Sequence, residues 1–254
     1  MVYIDAHTHF GSRSPRAGIV PDKVDECIKM MDSIGMDAIV TFPPYASISM
    51  DRSYDEANAL LAEAMKKYPK RLIGLCRINP HFRRKSVEKT EKFLKAGFWG
   101  VKFHPRNEGY PANSKDLVFP IVKKVEDLGG LVVFHTGCLV YSHPTLVGDV
   151  ADNFPEVPLQ IAHLGGQFED DAILVAKWFD NVIVDTSFCR GPRSIEKAVE
   201  LAGVEKIVFG SDYPQGSILL DTMKVELADI SKRDKELILG GNIKRILDGI
   251  EKMR

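Results

Sequence analysis

The chain has 254 residues, 44% of them hydrophobic and 27% charged, with a formal net charge of -1. This is the composition of an ordinary globular protein, and it excludes a broad basic field for nucleic acid or an anionic membrane. No apolar run is long enough to span a bilayer, the start lacks the basic and apolar stretches of a signal peptide, and Cys27, Cys76, Cys138 and Cys189 form no C-x-x-C pair, so a cytoplasmic chain with reduced thiols is expected.

A first strand is expected over 2–5, running straight into His7 and His9. A helical stripe follows between 21 and 34, where Val24, Cys27, Ile28 and Met31 fall at i, i+3, i+4 and i+7. The second strand covers 38–41. Ala57, Leu60, Leu61, Ala64 and Met65 then mark a helix between 54 and 68, stopped by Pro69. The third and fourth strands cover 72–76 and 100–103. Phe119, Val122, Val125 and Leu128 form another stripe, ended by Gly129 and Gly130. The fifth strand covers 131–134 and the sixth 159–162. Ala172, Val175, Ala176 and Phe179 form a last stripe before the seventh strand at 182–185 and the eighth at 207–209. Short apolar, β-branched runs suit strands covered on both faces, and each stripe gives a helix one face to bury.

Eight alternating strand–helix units in about 250 residues match an α/β fold of the (β/α)8 TIM-barrel type. The expected organisation is one domain over 1–254. An open doubly wound sheet would usually carry a glycine-rich phosphate loop after its first strand, and D-A-H-T-H stands there instead.

In such barrels the active site lies at the C-terminal strand ends. Five of the seven histidines fall there: His7 and His9 after the first strand, His104 after the fourth, His135 after the fifth and His163 after the sixth. Asp212 joins them after the eighth. Alternate strand residues share a face, so His7 and His9 point the same way, as do Lys102 and His104. Taken singly, each has a plain structural reading: a packed histidine, or for Asp212 a turn or N-cap residue before Pro214. Taken together, His7, His9, His135 and Asp212 read as three neutral imidazoles and a carboxylate around one divalent ion. Zinc is the first expectation, and manganese, iron or cobalt also suit such a set.

The motifs D-A-H-T-H-F (5–10), G-V-K-F-H-P (100–105), V-F-H-T-G (133–137), I-A-H-L-G-G (161–166) and F-G-S-D-Y-P (209–214) resemble the amidohydrolase superfamily, and most of all its amidohydrolase-2 branch of aminocarboxymuconate-semialdehyde decarboxylase-like enzymes. The resemblance runs in order along nearly the whole chain and includes G-G-N-I-K-R-I-L (240–247). It implies His7, His9 and His135 as ligands, Asp212 as ligand and proton handler, and His163 as an acid/base or substrate-polarising residue. It also implies a mononuclear site with Lys102 and His104 near the substrate, and a homodimer, since related proteins are often dimers.

The branch holds hydrolases, decarboxylases, hydratases and lactonases. The first expectation is hydrolysis of a C–N or C–O bond in a small amide, lactone or ester, because a divalent ion lowers the pKa of bound water from 15.7 to about 7. The alternative is decarboxylation or hydration of a small unsaturated or aromatic carboxylic acid, which needs a cation for the carboxylate. Arg106, Arg190, Arg13 and Arg16 are the candidates, each also readable as a solvated loop residue. A third possibility is a binding protein with an inactive site, although no ligand of the set is missing. Phe42, Pro43, Pro44 and Tyr45 suit an apolar pocket wall. His81 reads as structural or exposed, and His143 as outside the site.

Overall fold

The computed structural model describes residues 2–10, 24–43, 53–138 and 140–253. Its strands are β1 (Ile4–His9), β2 (Ala38–Phe42), β3 (Leu72–Gly74), β4 (Cys76–Arg77), β5 (Gly100–Phe103), β6 (Leu131–Phe134), β7 (Leu159–Ile161), β8 (Val182–Asp185) and β9 (Ile207–Val208). The helices are α1 (Val24–Ser33), α2 (Asp55–Lys67), α3 (Arg84–Lys95), α4 (Pro105–Glu108), α5 (Phe119–Leu128), α6 (Pro144–Asn153), α7 (Glu169–Trp178), α8 (Pro192–Ala202), α9 (Ile218–Leu227), α10 (Lys232–Glu236) and α11 (Asn242–Met253).

Every strand pairing is parallel, in the orders β1-β2-β3 and β4-β5-β6-β7-β8-β9. The predicted third strand is therefore two segments. Its lower half pairs with β2 and its upper half with β5. Leu75 lies between them and donates to Thr41 O at 2.9 Å. The other seam closes where Ala6 N bonds Phe209 O, Asp212 N bonds His7 O and His9 N bonds Tyr213 O, each at 2.8 Å. These bonds join the last strand to the first and complete the TIM barrel.

Alternation sorts the strand side chains into two layers. Val101, Phe103, Val132, Phe134 and Val184 point outward into the core shared with the helices. Ile4, Ala6, Val40, Leu131, Val133 and Ile183 point inward, and Ile243, Leu247 and Ile250 of α11 plug the barrel floor. Full burial of one such aliphatic side chain stabilises by about 1.5–3 kcal/mol. The 240–247 motif explains itself here. Gly240 packs so closely that a Cβ would lie 2.2 Å from Val2 O. Asn242 Nδ2 donates to Val204 O and Ile207 O at 2.7 and 2.8 Å, fixing the start of α11 beneath β9.

One irregularity positions the site. Along β1 the pairing with β2 shifts between Asp5 and Thr8, so two residues of β1, Ala6 and His7, stand against Val40 alone. Strict alternation from Ile4 and Ala6 would turn His7 and His9 outward. The bulge reverses the parity. Ile4 and Ala6 face the interior below, and His7 and His9 face it above, with His9 paired to the inward Phe42.

Candidate metal centre and active-site cavity

His7 Nε2 and His9 Nε2 lie 3.1 and 2.9 Å from the same atom, Asp212 Oδ1. Asp212 reaches them from a turn in which its own backbone is left-handed, at φ 56°. That turn is held by the Asp212 N–H on His7 O and by the N–H groups of Gln215 and Gly216 on Asp212 O, at 2.8 and 3.0 Å. Such a conformation in a non-glycine residue is uncommon and collects at functional sites.

The donor set fits a cation. His9 Nδ1 is buried without a hydrogen bond, a costly state in a native interior, and Asp212 Oδ1 meets the Nε2 atoms of both His7 and His9. His7, His9 and Asp212 each bring one ligand atom to a point, all within 4.8 Å of one another. His7, His163 and Asp185 form a second such trio. It suits an ion less well, because both Asp185 oxygens already accept hydrogen bonds from several donors.

Charge agrees with the geometry. Burial pushes His9 down to about 4 and His163 down to about 3, and it holds His104 and His135 well below the usual imidazole range. For Asp212, burial opposes ionisation, but His9 and His7 outweigh it and keep the carboxyl below its ordinary range. Burial and Lys102 oppose a proton on His7, and the carboxylates of Asp185 and Asp212 overcome them. Neutral His9 beside an ionised Asp212 is the protonation state that a divalent cation requires, whereas His7, raised by its two carboxylates, would have to give up a proton to bind one.

The other predicted residues lie around this trio, and His135, the fourth expected ligand, does not bring a nitrogen within the 4.8 Å spacing that joins the three. Lys102 Nζ is 3.3 Å from His7 Nε2 and 4.4 Å from the Phe42 ring centre. Burial pushes its ammonium down to about 7. Asp185, Asp212 and Glu108 favour its charge and Arg77 opposes it, while Asp5 accepts from Ser211 and from the N–H of His7. His135 Nδ1 is 3.0 Å from His163 Nε2, and the His135 ring stacks on His104 with centroids 3.7 Å apart. The site opens into a cavity of about 320 Å³ lined by His9, Lys102, His104, His135, His163 and Asp212, with Arg106, Phe188, Gln167 and Gln215 among its other walls. Phe42 packs its ring against His7 and His9, but it is fully buried and does not line the cavity, so the expected apolar wall stands behind the two histidines. Pro44, Tyr45, Arg13 and Arg16 lie outside the described residues.

Residues that sequence reasoning passes over also matter. Asp185, fully buried at the end of β8, accepts from His7 Nδ1 at 2.8 Å. Ser187 Oγ lies 2.8 Å from His163 Nδ1. Their signal was a carboxylate and a hydroxyl at the rim end of a buried strand. Phe188 is left-handed at φ 54° and 53% exposed at the cavity mouth. Of the remaining candidates, Arg190 is exposed and does not line this cavity. His81 holds Glu108 O at 2.6 Å, and His143 caps α6.

Three solved structures share this architecture. The 2,6-dihydroxybenzoate decarboxylase from Rhizobium is 14% identical with a TM-score of 0.77, over 97% of this chain and 98% of that one. A dihydroxybenzoic acid decarboxylase from Polaromonas, with bound manganese and the inhibitor 2-nitroresorcinol, is 17% identical with a TM-score of 0.78, over 97% of each chain. The 4-oxalomesaconate hydratase from Rhodopseudomonas palustris is 18% identical with a TM-score of 0.72, over 99% of this chain and 97% of that one. At these identities the likeness is one of fold. The sequence pattern of the amidohydrolase family matches residues 4–249, from the first residue of β1 into α11, so the span takes in every residue of the site, and the chain belongs to the amidohydrolase family.

Proposed function

We propose that this amidohydrolase is a metal-dependent decarboxylase of a small, planar, unsaturated or aromatic carboxylic acid. The character of the cavity carries the reading. Two cationic side chains, Lys102 and Arg106, line it, and Asp212 is the one carboxylate among its described walls. Phe188 and the His104–His135 stack give it flat sides. A neutral amide, lactone or ester would leave two cations without a counter-charge, whereas a carboxylate substrate supplies one. The solved structures sharing the fold point the same way, since two are decarboxylases of dihydroxybenzoic acids. Hydrolysis, the first expectation from sequence, therefore yields to the alternative.

His7, His9 and Asp212 would hold the ion, with His135 completing the set. Manganese occupies the Polaromonas relative, and zinc suits the same donors. When bound, the ion withdraws electron density from a substrate oxygen and lowers the cost of negative charge on the substrate. Lys102 and Arg106 orient the substrate by its anionic groups, and Phe188 covers its face. Asp212, ionised at rest, takes up the proton that the reaction consumes and delivers it to carbon. The carbon–carbon bond to the carboxylate breaks, its electron pair stays with the remaining carbon, the proton forms the new C–H bond and carbon dioxide leaves.

The test loads the protein with manganese or zinc in parallel and offers hydroxylated benzoates, unsaturated diacids, lactones and amides. Carbon dioxide released mole for mole with lost acid supports the reading. Turnover confined to lactones or amides contradicts it, and acid lost with water added but no gas would make the enzyme a hydratase.

A further inference from the structure

Five donor groups converge on the Asp185 carboxylate. Gln160 Nε2 and His7 Nδ1 donate to Oδ2 at 2.7 and 2.8 Å. The N–H groups of His163 and Ser187 donate to Oδ1 at 3.0 and 3.1 Å, and the Ser187 hydroxyl donates to that oxygen too. A carboxylate receiving so many donors acts as an acceptor only.

Counting protons outward then fixes the direction of each remaining bond. Ser187 has one hydroxyl proton and gives it to Asp185, so its Oγ accepts from His163 Nδ1–H at 2.8 Å. A neutral imidazole carries one N–H. His163 Nε2 is therefore bare and accepts from His135 Nδ1–H at 3.0 Å. His135 Nε2 is left bare in turn. On the other side of the carboxylate, His7 has its Nδ1 proton on Asp185, which leaves Nε2 directed at Asp212.

We propose that Asp185 and Ser187 are positioning residues that set the proton positions on His7, His163 and His135, directly for the first and through the serine hydroxyl for the other two. The arrangement leaves Nε2 of His135 free of a proton, holds the His163 Nε2 lone pair on His135 Nδ1–H, and makes Nε2 the atom of His7 that can be offered to an ion. Without the hydroxyl, His163 Nδ1 loses its acceptor. The imidazole can then carry its proton on Nε2, which would force His135 to carry its own on Nε2 as well. The inference rests on the metal reading for the ligand roles of His7 and His135, and on no assignment of the reaction.

The test reads imidazole nitrogen shifts by NMR in histidine-labelled protein without metal. In the wild type, His163 and His135 are both expected as Nδ1–H forms. In Ser187→Ala both are expected to change together, and in Ser187→Thr, which keeps a hydroxyl, both are expected to return. Manganese affinity by calorimetry should fall about 10- to 100-fold in the alanine variant and recover in the threonine variant. His135 found as the Nε2–H form in the wild type overturns the proposal without any variant. So does Ser187→Ala with unchanged tautomers and affinity. The expected tautomers in a protein that takes up no manganese would support the relay and count against the metal reading alone.

Discussion

Two buried clusters of charge stand at the same end of the barrel, and they are built on opposite plans. In the first, Glu108 Oε1 accepts from Arg77 Nε at 3.1 Å and from Tyr54 OH at 2.6 Å, while Oε2 accepts from Tyr110 OH at 3.0 Å. Arg77 Nη1 donates to Pro43 O, and Asn58 bonds both the N–H and the carbonyl of Arg77. Each charge there meets an opposite charge or a donor. In the second cluster, His7, His9 and Asp212 crowd three ligand atoms within 4.8 Å of one another, with one carboxylate oxygen facing two imidazole nitrogens and His9 Nδ1 left without a hydrogen bond. Burial is similar in both; closure is not. A closed cluster fixes backbone segments, here the one ending β4 to the one following β5. An open cluster of lone pairs is poised for something the chain does not supply.

Asp212→Asn should separate the two most sharply. Turnover is expected to fall by about 10²–10⁴-fold, with the thermal midpoint nearly unchanged. A loss of activity matched by unfolding would mean that this cluster too is structural. Glu108→Gln is the converse. It strands the Arg77 guanidinium in the interior and is expected to cost about 3–5 kcal/mol in a denaturant titration, while metal content per folded molecule stays the same. An undiminished midpoint would refute the structural role of the closed cluster.

Lys102 lies between the clusters and tests their boundary. Lys102→Met should raise KM by about 10- to 100-fold, the value of a charge-assisted contact. Burial pushes the Lys102 ammonium down to about 7, so it is cationic below that pH and neutral above it. A divalent ion on His7, whose Nε2 is 3.3 Å from Nζ, would push it further the same way. kcat/KM for an anionic substrate is therefore expected to fall as pH rises, with its midpoint at or below about 7. In Lys102→Arg, where the cation persists, the fall should disappear. A wild-type profile flat from pH 4.5 to 9 would remove Lys102 from substrate binding.

The barrel was legible because its signals are local and repeated. Eight apolar runs and the stripes beginning at Val24, Ala57, Phe119 and Ala172 each reflect burial on a fixed period. The site was legible wherever one residue type at a strand end carries chemistry, as with His7, His9, His135, His163 and Asp212. Other features depend on contacts between distant segments and leave no pattern in the chain. The bulge at Ala6–His7 is one, and without it the inward direction of both histidines could be reached only by supposing that strict alternation begins at His7. The division of the third strand at Leu75 is another, since it records a change of neighbour. Asp185 ends a strand, and its importance appears only once His7 of β1, Gln160 and His163 of β7 and the turn after it, and the nearby Ser187 converge on it.

The claim that the open cluster is a metal centre is tested most directly by anomalous diffraction from crystals soaked in manganese. One strong peak is expected, within bonding distance of His7 Nε2, His9 Nε2 and Asp212, and lost in a crystal of His9→Ala. No peak at that point, or one beside Glu108 instead, would contradict the account.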